Sequence, residues 1–193
     1  PRGLDESSGA STLHRDLKPE NIMLVTRQGE RDFVKVLDFG LAKVAAPAPE
    51  HTGAPTVQAL TKHGSIFGTP KYMAPEQCVS GPVDGRTDLY ALGLILYEML
   101  TGVHPFDARQ LVAIISHQLG TPTPPMKKLA PHIAVPAALE AVVMKLTEKD
   151  ADQRYKNATE VLAALSEAMT TAATEAAKPQ APAAAQKAEP PPP

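Results

Sequence analysis

The 193-residue chain contains no tryptophan, one cysteine and only 4% aromatic residues. A single thiol, Cys78, excludes an internal disulfide framework and fits a reducing compartment. Its place after Pro75-Glu76-Gln77 marks it as a packing residue, not a nucleophile. A formal net charge of −2 gives no basic surface of the kind that nucleic acid or an acidic membrane attracts. No stretch approaches the ~20 apolar residues of a membrane-spanning helix. The longest candidate, 89–100, is interrupted by Glu98 and preceded by Asp88, so it reads as a buried core helix. No secretory leader or internal repeat is visible in these residues, and the expected location is cytoplasmic.

Proline is abundant instead, with 20 residues, many of them in 47–55 and 179–193. A hydrophobic content of 43% and this length suffice for one domain with a core. Residues 1–12 read as coil, and a start at Pro1 rather than methionine reads as a fragment. The apolar runs 22–25 and 33–37 flank a polar turn, 26–32, which is a hairpin signal. Its outer ends carry Asn21 and Asp38. Residues 41–67 show no periodicity and form an expected long loop. Helical periodicity follows. Thr87 and Asp88 are expected to cap a helix to Leu100, closed by Gly102. A second helix is expected over 107–119, and a third begins with Pro136 in its first turn. A fourth, 161–169, follows the capping pair Asn157 and Glu160, and its helical composition runs on to Ala177. The end of the chain is an Ala/Pro-rich flexible tail.

Three motifs carry chemistry: His14-Arg15-Asp16-Leu17-Lys18-Pro19-Glu20-Asn21, Asp38-Phe39-Gly40 and Ala74-Pro75-Glu76. In order and spacing they resemble protein kinases. Gly68-Thr69-Pro70-Lys71-Tyr72-Met73, which precedes the third motif, is similar to the docking segment of bacterial Hanks-type (eukaryotic-like) serine/threonine kinases. The resemblance covers 13–168 and implies an α+β, mostly α-helical C-lobe with a small hairpin and a long activation loop. It leaves 1–12 as unassigned coil and 169–193 as tail. The implied activity is transfer of the ATP γ-phosphate to serine or threonine hydroxyls of a protein substrate, with ATP and Mg²⁺ as cofactors.

The resemblance assigns roles residue by residue. Asp16 is the base for the attacking hydroxyl, and Lys18 offsets charge on the transferred phosphate. Asn21 offers an amide oxygen and Asp38 a carboxylate to magnesium, which prefers hard oxygen ligands. Thr69 and Pro70 dock substrate. His14 is a backbone anchor rather than a metal ligand, while Phe39 and Gly40 set the position of Asp38. Glu76 is expected to pair with Arg154, and Asp88 to tie down the backbone at His14 and Arg15. An arginine directly before the catalytic aspartate binds activation-loop phosphate. Arg15 is therefore regulatory, with Thr61 as the acceptor ahead of Thr52, Thr56 and Ser65.

The 193 residues contain no G-x-G-x-x-G loop, no V-A-I-K-type lysine and no helix glutamate to pair with it. The N-lobe is thus expected to be missing and to be required for activity. Besides the kinase fragment, an inactive relic acting as a binding module and an unstable truncated product stay open. Asp16 and Asp38 are 38 − 16 = 22 residues apart, a few more than usual, with the surplus expected in the 26–32 turn.

Overall fold

The computed structural model of the chain describes residues 13–38 and 70–176. Phe39, Gly40, Thr61 and Thr69 lie outside the described residues, as do Thr52, Thr56 and Ser65.

Two β-branched, apolar runs pair as expected: β1 (Ile22–Arg27) and β2 (Glu30–Val36) form an antiparallel hairpin. The register runs from Ile22 opposite Val36 to Val25 opposite Phe33. The turn is shorter than the expected 26–32. It comprises Gln28 and Gly29, with φ of 52° and 85°, the left-handed pair whose twist matches that of the strands. Between Val25 and Arg27 the register shifts, on the side of the left-handed Asp32 (φ 62°). Surplus length is therefore absorbed by longer strands and a bulge rather than by an open loop.

Among the described residues six α-helices follow: α1 (Pro75–Cys78), α2 (Gly85–Thr101), α3 (Leu111–Gly120), α4 (Met126–Leu129), α5 (Ala137–Leu146) and α6 (Ala158–Ala176). Helix α2 starts before the expected caps. Asp84 is the N-cap and its carboxylate accepts from Arg86 N, which leaves the Thr87 and Asp88 side chains for distant partners. Gly102 closes the helix with φ 74°, a conformation that costs glycine nothing.

Helix α3 begins at Leu111 rather than at 107, because Asp107 turns to Lys71 Nζ at 2.9 Å. Pro136 stands at the N-cap of α5 in extended backbone, one residue before the first turn. In the α6 cap, Asn157 Oδ1 accepts from Glu160 N (3.0 Å), and Glu160 Oε2 accepts from Lys156 N (2.9 Å). The helix starts ahead of 161 and continues past Met169 to Ala176. Its last turns thus occupy the beginning of the segment expected as tail.

Helix α2 is the axis of the core, with Tyr90, Leu94 and Tyr97 fully buried. One side meets Tyr72, Ala74 and Phe106, with Leu17 and Ile22 packed against the same cluster. Another meets Val142, Leu146, Val161 and Ala168 from α5 and α6. Gly93 makes the α2–α5 approach possible: a Cβ there would lie 2.7 Å from Leu146 Cβ and 2.8 Å from Thr147 Cγ2. The hairpin grips this core only at its root, since Leu24 and Val34 are exposed. Cys78 is buried, and that burial pushes its thiol up to about 11, as suits a packing residue. Among the described residues no helix is long and apolar enough to cross a membrane.

Candidate active site

Asp88, on the first turn of α2, organises the loop 14–21. Its two carboxylate oxygens accept from His14 N and Arg15 N, each at 2.8 Å. Two consecutive amides aimed at one carboxylate force a tight bend, and Arg15 takes a left-handed φ of 61°. Such a backbone costs ~1–3 kcal/mol and persists where its surroundings over-determine it. Buried His14 braces the bend from inside. Its Nδ1 accepts from Asp16 N (3.3 Å), so the ring proton sits on Nε2 and donates to Leu37 O (2.7 Å). This bond joins the loop to the far end of β2.

The bend brings the candidate reactive groups together. Asp16 Oδ2 lies 3.2 Å from Lys18 Nζ, and both side chains keep some exposure. Asn21 is buried and donates through Nδ2 to Asp16 O at 2.8 Å. With the amide nitrogen turned to Asp16 O, Asn21 Oδ1 is the atom of this side chain that can serve a cation. Leu37 N donates to Asn21 O at 2.8 Å, so the hairpin register sets Asp38 beside Asn21. Asp38 is exposed and left-handed, with φ 54°.

A neutral amide oxygen and one carboxylate suit Mg²⁺, which takes one or two carboxylates and completes its shell with water and phosphate oxygens. Among the described residues no group of three or more His, Cys, Asp or Glu side chains forms an all-protein metal cage.

The expected docking segment is described from Pro70 onward. Glu76 and Arg154 meet bidentately at 2.8 and 2.9 Å. The remaining N–H groups of Arg154 donate to Glu148 O, Arg86 O and Lys149 O at 2.8–3.0 Å. All five guanidinium donors are thereby used, and the side chain has no exposure. Burial pushes the Glu76 carboxyl up, but the bonds from Arg154 and Thr87 outweigh it and hold the group below its ordinary value.

Three further residues carry this geometry without having been singled out for it. Gln77 accepts from Ala74 N and donates to Arg15 O at 2.8 Å, tying the segment around Ala74 to the loop 14–21. Thr87 Oγ1 donates to Glu76 Oε1 at 2.8 Å. Gln118, within the helix expected over 107–119, is fully buried and donates to Lys71 O. The Pro-Glu-Gln string places Gln77 one residue past the APE motif, which is the only sequence signal that could have found it.

The family model for the protein kinase domain matches residues 3–165. Serine/threonine-protein kinase Pkn1 of Myxococcus xanthus is 47% identical over 153 residues, covering 79% of this chain and 20% of that protein. Serine/threonine-protein kinase pkn3 of the same organism is 40% identical over 155 residues, covering 80% and 27%. PknB of Mycolicibacterium smegmatis is 38% identical over 165 residues, covering 85% and 24%. The chain spans between a fifth and about a quarter of the length of these relatives.

Proposed function

The chain belongs to the protein kinase domain family, and on that premise we propose that it is the C-lobe of a serine/threonine kinase that acts when completed by an N-lobe. The observation that carries this reading is the clustering of Asp16, Lys18 and Asn21, with Asp16 and Lys18 at 3.2 Å and Asn21 bonded to Asp16 O, while Asp38 directly follows Leu37, whose N donates to Asn21 O.

In the proposed reaction, a serine or threonine hydroxyl of a protein substrate bonds to the γ-phosphorus while the bond to the β-phosphate oxygen breaks and ADP leaves. Asp16 accepts the hydroxyl proton. Lys18 would offset the charge on the transferred phosphate as it develops in the transition state. Asn21 Oδ1 and the Asp38 carboxylate would hold Mg²⁺, whose charge neutralises the phosphate oxygens. Pro70 and the turn behind it would receive the peptide, with Thr69 beside it.

Arg15 is proposed as the receptor for a phosphate on Thr61. Its neighbour Asp16 makes the link direct, since ordering the activation loop through Arg15 fixes the base. Lys18 and Thr69 favour serine or threonine over tyrosine, and no nucleic acid partner is implied.

The test joins residues 13–168 to the N-lobe and linking helix of a related kinase. Mg²⁺-dependent phosphorylation of serine or threonine is expected. Asp16→Asn should remove nearly all turnover while ATP binding persists, whereas Asp38→Asn should weaken metal-dependent nucleotide binding. Identical profiles for the two variants would refute the division of roles.

A further inference from the structure

Helix α3 lays Ile114 and Ile115 into the core, and beside them it buries an amide, Gln118, with no exposure. An apolar side chain would fill that slot without the cost of desolvating a polar group. The partners of the amide show what it gains. Gln118 Oε1 accepts from Tyr90 Oη at 2.6 Å, and Gln118 Nε2 donates to Lys71 O and, at 3.4 Å, to Pro70 O. Both donors of the amide therefore reach the backbone of the docking turn.

The direction of this chain of bonds is dictated from its far end. Lys149 Nζ donates to Tyr90 Oη at 2.7 Å. An ammonium has donors and no acceptor, so the tyrosine oxygen can only accept from it. The phenol proton must then point to Gln118 Oε1, which turns the NH₂ of Gln118 toward Pro70 and Lys71. Bonds in such a series polarise one another. Lys149 is held in place by the Phe106 ring, 4.2 Å away, and the Tyr90 ring, 5.2 Å away.

The same tyrosine carries the other anchor. The Arg154 guanidinium stacks 4.8 Å over Tyr90 and grips Glu76, while its Nη2 donates to Lys149 O. The stretch between Glu148 and Arg154 thus reaches both ends of the docking segment, Glu76 directly and Pro70–Lys71 through Tyr90 and Gln118.

We propose that Gln118 is a positioning residue for substrate docking, oriented by Lys149 through Tyr90, which sets where the turn Pro70–Tyr72 lies against an incoming peptide. The proposal rests on the kinase reading for its functional consequence, and on the described hydrogen bonds for its structural one.

Hydrogen exchange on the full chain tests the structural half. Met73 N donates to Pro70 O at 3.2 Å and reports the turn. Gln118→Glu is nearly isosteric and still accepts from Tyr90, but it sets an oxygen against Lys71 O. Protection over 70–74 is expected to fall about tenfold, with α2 unchanged. Tyr90→Phe keeps the stacked ring and removes only the hydroxyl, and should give the same local loss. Wild-type exchange at 70–74 in Gln118→Glu, or a loss spread evenly over α2 and α3, would overturn the proposal.

In the enzyme joined to an N-lobe, the peptide KM should rise at least fivefold in either variant, with the ATP KM unchanged. Equal shifts in both constants would mark a general weakening of the fold and overturn the functional half. A wild-type joined enzyme that phosphorylates no peptide would sink the kinase reading instead, and the exchange result would then decide the role of Gln118.

Discussion

Replacing Arg154 with methionine removes five bonds at once from a site that has no exposure. The Glu76 carboxylate, with a side chain 15% exposed, would keep Thr87 as its hydrogen-bond donor, and the carbonyls of Arg86, Glu148 and Lys149 would each lose a donor. Breaking a buried ion pair by removing one partner costs ~3–5 kcal/mol, because the surviving charge is left uncompensated. For a chain of this size ~1 kcal/mol moves Tm by ~2–4 °C, so calorimetry should record a fall of about 10 °C. Arg154→Lys keeps the charge but not the planar fork, and about half the loss is expected.

A double-mutant cycle with Glu76→Gln isolates the pair. Its coupling should exceed ~2 kcal/mol, well above the ~0–1 kcal/mol of an exposed pair. The pH dependence has a definite sign. Because the folded Glu76 carboxyl lies below its ordinary value, its contribution is present above the unfolded pKa and is lost as pH falls through the folded one. The gap between wild type and Arg154→Met should therefore narrow below about pH 4.5, the ordinary range for glutamate. A loss under ~1 kcal/mol by the standard of exposed pairs, or an additive cycle, would refute the reasoning.

Gly93→Ala forces a methyl against Leu146 and Thr147 and should cost ~1–3 kcal/mol by overpacking, read as a lower urea midpoint at unchanged slope. Burial, with Arg154 adding to it, lowers the Lys149 pKa to about 8. The unfolded chain then binds more protons above that pH, and stability from this residue should rise with pH from about 8 toward the ordinary lysine range. Subtracting the pH profile of Lys149→Met isolates that rise from Cys78, whose raised pKa works in the opposite direction; equal profiles would reject the assignment. The 193-residue chain by itself should show no micromolar ATP binding in calorimetry with Mg²⁺, because its sequence holds no Gly-rich loop or phosphate-binding lysine. In the joined enzyme, Thr61→Ala should lower activity several-fold and Arg15→Ala should remove most of that dependence, whereas additive losses would exclude Arg15 as the phosphate receptor.

The candidate site residues could be named from the sequence because they stand in contiguous strings. Asp16, Lys18 and Asn21 sit within one loop, and hairpin alternation alone was enough to bring Asp38 toward Asn21. The helices were legible from periodicity, but several of their starts were not. Asp107 looks like a helix starter and Asp88 like a cap, although the resemblance also assigns Asp88 to the backbone at His14 and Arg15; tertiary partners at His14, Arg15 and Lys71 claim both carboxylates. A carboxylate that can reach several amides goes where the fold brings them, and the cap falls to Asp84, whose Oδ1 accepts from both the backbone N and the side-chain Nε of Arg86. Glu76 and Arg154 came from resemblance, 78 residues apart. Gln77 and Gln118 act on carbonyls 62 and 47 residues away. An amide has no charge or spacing that marks its partner in advance; only the packed core, by excluding water, decides which carbonyl it must satisfy.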